Sequence, residues 1–286
     1  MTNQRKRPDI LGQGAKKLSK KELRILKAVR ATFEPGIVNI CLRFFQRTIG
    51  QSWIHHSTKN LRHMHGMERL PSLATDESVL VVANHRSFFD LYIVTSELVR
   101  RGMKKRIIFP VRSKFFYESW IGFLTNFLMS FLAMYPAIFR ERKKASMNLL
   151  ALDELAFLLN RGGVFAGLHP EGTRKQEGSP YEFLPAQPGV GRVILHSKVQ
   201  VVPVFINGLI NDIKKQIKSN FDGTGEDVHV VFGQPIDFGD LLEQKSNSKT
   251  HRAISEKCME EIARLGEEER ILRQEFEAKK KAGQTP

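Results

Sequence analysis

Cysteine is almost missing from this sequence: Cys41 and Cys258 are the two thiols in 286 residues, and neither belongs to a CxxC pair. That excludes a disulfide framework and points to a reducing, cytosolic setting. The opening MTNQRKRPDILGQGAKKLSKKELR lacks the apolar stretch of a secretory signal, so nothing in it directs export. Gly12-Gln13-Gly14 is a lone GxG with no strand before it and no third glycine, and no P-loop glycine-lysine pattern occurs, which leaves nucleotide binding without support. No GxSxG elbow is present for a covalent acyl-enzyme. His55, His56, His63 and His65 are not joined by metal-ligand spacing, so no metal is expected. Internal repeats and nucleic-acid-binding signatures are also missing.

What is abundant is positive charge. Lys and Arg number 45 against 30 Asp and Glu, a formal net charge of +15, while 41% hydrophobic content is enough for a substantial core. Such an excess suits nucleic acid, an anionic membrane or phosphorylated small molecules. Its location narrows the choice. Residues 1–62 hold 14 basic and 3 acidic side chains, whereas 251–286 hold 8 of each sign. The charge is an amino-terminal feature.

Short β-branched runs at Ser78 to Ala83, Arg106 to Val111, Gly163 to Leu168, Val199 to Ile206 and Val228 to Phe232 read as strands buried on both faces. Helical patterns at 88–101, 144–160 and 186–197 fall between them, so the fold class is α/β with a mainly parallel sheet. Lys20 to about Lys59 reads as a basic helical pair broken at Pro35-Gly36. Its second half, with Ile37, Ile40, Cys41, Phe44, Phe45 and Ile49 beside Arg43 and Arg47, could dock on the core or lie in a membrane interface. Residues 250–281 read as a charged helix, solvated or loosely docked. The expected organisation is a membrane-facing segment 1–62, an α/β domain 63–245 and a helical tail 246–286.

Ser119 to Phe139 has no charged residue in 21 positions, 15 of them apolar or aromatic. Its length could span a bilayer, but Gly122, Asn126 and Pro136 interrupt it, and it lies between two motifs that belong on one side of a membrane. A buried or partly inserted helical element is the better expectation.

Those motifs carry the chemistry. Asn84-His85-Arg86-Ser87-Phe88-Phe89-Asp90 directly follows the first strand. Ser87 and Asp90 have capping-box spacing, which would start a helix there and let the carboxylate reach back to His85. An aspartate on one ring nitrogen fixes the tautomer and leaves the other free to take a hydroxyl proton. The second motif, His169-Pro170-Glu171-Gly172-Thr173-Arg174, follows another strand, at the carboxyl edge where α/β sheets bind ligands. Gly172 allows close backbone approach, Thr173 can donate to an anion, and Arg174 offers a bidentate fork.

Asn84-His85 with Asp90, then Pro170-Glu171-Gly172-Thr173-Arg174, resembles the phospholipid/glycerol acyltransferase family, the PlsC-like 1-acyl-glycerol-3-phosphate acyltransferases. Ile138-Phe139-Arg140-Glu141-Arg142 and Val202-Pro203-Val204 fit the family's second and fourth blocks in order and approximate spacing, so the resemblance covers roughly residues 63–235. Arg140 and His169 depart from the usual pattern. The resemblance implies that His85, oriented by Asp90, deprotonates the acceptor hydroxyl for attack on an acyl thioester. It implies that Arg142, Glu171, Gly172, Thr173 and Arg174 hold the acceptor phosphate, with Glu171 orienting an arginine or the glycerol hydroxyl. Asn84, Ser87 and Pro203 would shape the pocket.

The implied reaction makes phosphatidic acid from 1-acyl-glycerol-3-phosphate with acyl-CoA or an acyl carrier protein as co-substrate, no bound cofactor, and attachment to the cytoplasmic side of an anionic membrane, peripheral or monotopic. Alternatives are glycerol-3-phosphate or a lyso-aminolipid as acceptor, or a non-catalytic anionic-lipid binding protein. Lys104, Lys105, Arg106, Arg112 and Lys114 are further candidates to meet anionic headgroups.

Overall fold

The computed structural model describes residues 6–283 except Gln176, together with the backbone but not the side chain of Ile213. The first five residues of the basic segment therefore lie outside the described residues. Seven strands form one sheet: β1 (Arg62–His65), β2 (Val79–Ala83), β3 (Arg106–Arg112), β4 (Met134–Ile138), β5 (Val164–Leu168), β6 (Gln200–Asn207) and β7 (Val228–Phe232), in spatial order β1-β7-β6-β2-β5-β3-β4. All neighbours are parallel except β6 and β7, which run antiparallel. The five strands with near-continuous apolar sequence are the five inner ones, covered on both faces, as such runs require. The edge strands β1 and β4 escaped the sequence reading because one is the polar Arg-His-Met-His and the other lies inside the uncharged stretch.

The helices are α1 (Ile10–Ala15), α2 (Lys20–Ala31), α3 (Ile37–Phe45), α4 (Gln51–Thr58), α5 (Asp90–Arg100), α6 (Ser113–Phe116), α7 (Trp120–Ser130), α8 (Ala145–Asn160), α9 (Pro188–Ser197), α10 (Ile213–Asp222) and α11 (Ser248–Lys281). The break at Pro35-Gly36 separates α2 from α3 as expected, and a π turn over Gln46–Gly50 carries α3 into α4. A capping box of Ser19 and Glu22 starts α2, whose Ile25, Leu26 and Val29 are buried. Arg30 donates from Nε to the fully buried Glu154 at 3.1 Å, and the Tyr135 hydroxyl donates to the same carboxylate at 2.8 Å. The basic segment is thus tied into the core by paired charge as well as by apolar packing.

The uncharged run differs from a single helical element. Ser119 caps α7 by accepting from the Gly122 amide, Phe131 and Leu132 turn the chain with positive φ, and the rest becomes strand β4. Among the described residues, no helix is long and apolar enough to cross a membrane.

α11 also differs from the loosely docked helix expected from its mixed charge. Ile254, Cys258, Met259, Ile262 and Leu265 recur every three or four residues and are buried against α9, β6 and β7. Each such burial contributes on the order of 1.5–3 kcal/mol. The interspersed charges occupy the remaining faces, so a narrow apolar stripe determines where the helix packs.

Candidate active site

β2 and β5 are parallel neighbours, with Val82 opposite Leu168, so the segments following them leave the same edge of the sheet side by side. This register brings the two motifs together across more than eighty residues of sequence. Asn84 fastens the end of β2 to β6: its Nδ2 donates to the Ile206 carbonyl at 2.8 Å, and its Oδ1 accepts from the Ile206 amide at 2.8 Å.

His85 Nδ1 lies 3.0 Å from Asp90 Oδ2. The same carboxylate oxygen accepts from the amides of Arg86 at 2.8 Å and Ser87 at 2.9 Å. The anticipated capping box is half formed. Asp90 takes the Ser87 amide, but the Ser87 hydroxyl donates to the Ile210 carbonyl at 2.9 Å and accepts from the Phe89 amide, while α5 begins one residue after an uncapped Phe89. Ser87 therefore ties the motif to the segment after β6.

Asp90 is 1% exposed, and burial raises its pKa to about 6, leaving it a carboxylate at neutral pH. Burial, and then the nearby Arg174 cation, lower the His85 pKa to about 3. The imidazole is thus neutral, with Nδ1–H donating to Asp90 and the Nε2 lone pair free. A neutral imidazole so oriented can accept a proton from a hydroxyl.

Glu171 departs from its expected task of orienting an arginine or a substrate hydroxyl. Its Oε1 accepts from the His85 amide and its Oε2 from the Leu184 amide, each at 2.8 Å, and the side chain is buried. It latches the two motifs to each other. Gly172 has a φ of +68°, and a Cβ there would come within 3.0 Å of Gln187, so the turn favours glycine on both counts. Thr173 and Arg174 are exposed; Arg174 Nη1 donates to Asn211 Oδ1 at 2.8 Å. Arg142 is exposed in the turn after β4, whereas Arg140 Nη2 lies 3.4 Å from the Thr173 hydroxyl. Pro203 is buried in mid-β6 opposite Val82, close to Gly233.

Three participants were given no role by the sequence reading, although two of them stand inside its motifs. The His169 ring stacks on His85 with centroids 3.8 Å apart and planes 8° apart, and its Nδ1 is within 3.0 Å of the carbonyls of Ala83 and Asn84. Arg86 holds the following loop by donating to the carbonyls of Lys175 and Glu182. Asn211 links Arg174 to the Arg86 carbonyl. The placement of His169 immediately after β5 was a usable signal; nothing in the sequence marked Asn211.

His85, Asp90 and His169 each bring a possible ligand atom within 4.8 Å of the others. A shared ion fits them poorly. Both Nδ1 atoms are already in hydrogen bonds, and an ion about 2.1 Å from a nitrogen of each stacked ring would lie well outside both ring planes.

A family model described as Acyltransferase matches residues 62–207, about half of the chain. The chain belongs to this acyltransferase family. No curated protein is similar enough in sequence to match. Among solved structures, the 1-acyl-sn-glycerophosphate acyltransferase PlsC from Thermotoga maritima is similar, with 19% identity over 91% of this chain and 87% of that one and a TM-score of 0.48. Acyl transfer is the family's chemistry. The paired motifs of the site, at residues 84–90 and 169–174, both fall inside the matched region.

Proposed function

We propose that this acyltransferase esterifies the free hydroxyl of a lysophospholipid, with 1-acyl-glycerol-3-phosphate as acceptor, acyl-CoA or an acyl carrier protein as donor, and phosphatidic acid as product. The observation that carries the reading is His85 held through Nδ1 by Asp90 at the sheet's carboxyl edge, with Nε2 outside any hydrogen bond among the described residues and the Arg174 cation near enough to act on the ring. His85 Nε2 takes the acceptor's hydroxyl proton as its oxygen attacks the thioester carbonyl. Collapse of the tetrahedral adduct breaks the carbon–sulfur bond, and the imidazolium returns the proton to the thiolate. A thiol has a reference pKa of roughly 8.5, so the leaving group needs little assistance and one base serves both steps. Asp90 stabilises the transient imidazolium. Arg174, Thr173 and the Gly172 backbone receive the acceptor phosphate, with Arg142 at the rim and Glu171 keeping the turn in register.

Attachment to the cytoplasmic face of an anionic membrane is part of the proposal. Ile37, Val38, Ile40, Phe44 and Ile49 are each more than half exposed on α3 and the π turn, as are Trp120, Ile121, Leu124 and Leu128 on α7. Stacking of Phe131 on Phe45, together with its edge contact to Phe127, joins the two groups. An exposed apolar surface of this extent beside basic side chains suits peripheral or monotopic insertion at a lipid interface. Arg112 and Lys114 are exposed and available to headgroups, but Lys105 and Arg106 are buried and do not belong to that surface.

The test is lysophosphatidate with labelled acyl-CoA or acyl carrier protein. The expected result is release of free thiol and formation of phosphatidate, both abolished by His85→Ala in a folded protein. Activity surviving that substitution would refute the mechanism, and a panel of other acceptors would reveal glycerol-3-phosphate or a lyso-aminolipid as the true substrate.

A further inference from the structure

Arg106 opens β3 at the edge of the sheet opposite His85. Its side chain is 2% exposed, and Nη1 donates to the Phe131 carbonyl at 3.2 Å, but Nε and Nη2 are buried with no hydrogen-bond partner among the described residues. The guanidinium lies over the Phe33 ring at 4.8 Å and lines a cavity of about 290 Å³. Arg43 from α3 and Arg161 from the turn before β5 line the same cavity, together with Asn39 and Ile40.

Leaving buried guanidinium donors unpaired costs on the order of 1–3 kcal/mol per group or more, so folded proteins normally satisfy them. The carboxylates nearby do not serve Arg106. Glu34 is half exposed and pairs with Arg161 and Arg7, while Glu154 is taken by Arg7, Arg30 and Tyr135. Among the described residues Arg43 has no carboxylate partner, and its charge adds to burial in pushing the Arg106 pKa down to about 9. The cavity thus has cations in excess and an open wall at Gly163, where an added Cβ would meet nothing within 4 Å.

We propose that this cavity is an anion site for a phosphate group, held by Arg106 and Arg43 with Arg161 and Asn39 at its sides, and separate from the site that receives the acceptor. Two cations without carboxylate partners match the double charge of a phosphomonoester, and a guanidinium presents paired N–H donors to phosphate oxygens. The source of the phosphate is an anionic lipid headgroup or a free phosphate compound. The position of Ile40, which lines the cavity and belongs to the exposed apolar face of α3, favours the headgroup. The lipid source rests on the membrane reading above; the anion site itself does not.

Binding of inorganic phosphate and glycerol 3-phosphate at constant ionic strength is measured by calorimetry on the full chain, with Arg43→Gln, Arg106→Gln and Arg174→Gln. A second arm measures flotation with vesicles containing phosphatidic acid or phosphatidylserine at matched surface charge. The expected result is at least about a tenfold loss of phosphate affinity, or of the preference for phosphatidic acid, in Arg43→Gln and Arg106→Gln. Arg174→Gln, which weakens the acceptor site, should keep this second class of phosphate binding, and the exposed control Lys245→Gln should keep both. Loss confined to the soluble arm identifies free phosphate as the ligand, and loss confined to vesicles identifies the headgroup. Because Arg43 is only half-buried at the cavity wall, its variant keeps the fold even if Arg106→Gln does not. If Arg43→Gln binds both probes as the unaltered protein does, or neither probe shows an affinity to lose, the proposal is overturned.

Discussion

Replacing Asp90 by Asn tests the proposed base more sharply than deleting it. Asp90 Oδ2 accepts three hydrogen bonds, from His85 Nδ1 at 3.0 Å and from the Arg86 and Ser87 amides at 2.8 and 2.9 Å, while Oδ1 is buried without a partner. An asparagine amide must keep its oxygen in the Oδ2 position, because the opposite orientation would aim its NH2 group at three donors. The productive His85 tautomer therefore survives the substitution, and what is lost is the negative charge facing the imidazolium. Hydrogen bonds to charged groups are stronger than neutral ones by roughly 1–2 kcal/mol. That difference predicts a fall in kcat of about 5- to 30-fold. A substitution that also inverts the tautomer costs about 10⁴-fold in the serine proteases. The assay is initial-rate thiol release with saturating lysophosphatidate, repeated across pH. Activity of the unaltered enzyme should fall as pH drops through about 6, where Asp90 takes up a proton, and that limb should disappear in the variant. A loss of 10⁴-fold or more would show that the backbone amides do not fix the carboxamide. A loss under about threefold would remove Asp90's charge from the mechanism.

Two further outcomes concern stability. The pKa values of His85, His169 and His229 are each lowered to about 3 by burial, so the unfolded chain takes up these protons below its ordinary value near 6.5 while the folded chain does not. Their contribution is complete above pH 6.5 and is lost as pH falls toward 3; Asp90, with its raised pKa, offsets one of them between about 6 and 4. At about 1.4 kcal/mol per pH unit for each group, stability should decline by up to ~3 kcal/mol per unit across that window. Urea unfolding at pH 6 and pH 5 measures this, and an unchanged midpoint would refute it. Separately, a Cβ on Gly191 would lie 1.8 Å from the His251 carbonyl oxygen, where α9 crosses α11. Gly191→Ala should destabilise by several kcal/mol and free α11 to proteolysis; a melting temperature within 2 °C of the unaltered protein, on the order of 0.5–1 kcal/mol, would contradict that packing.

Much of this architecture was legible because the signals are local. β-branched runs such as Val79 to Ala83 are apolar on both faces, and only a sheet covered on both sides buries them. Pro35-Gly36 stops a helix by backbone chemistry alone. α11 was misjudged because its composition averages to neutral, whereas docking depends on five apolar positions along one face. The split of 119–139 into α7 and β4 was invisible because uncharged residues serve either element, and the choice follows from pairing with β3.

The sequence by itself determined the pair of motifs, their positions at strand ends, the concentration of charge before residue 62 and membership in an acyltransferase family, since residue types and chain order settle all of these. Only the tertiary structure decided what each group faces. It turned Glu171 into a latch between two backbone amides, laid His169 flat on His85, and exposed the apolar faces of α3 and α7. It also buried Arg106, one of five basic residues expected to meet headgroups, beside Arg43 in a cavity on the far edge of the sheet. The physical reason is that hydrogen bonding, burial and pKa depend on neighbours brought from distant parts of the chain, and strand register selects those neighbours.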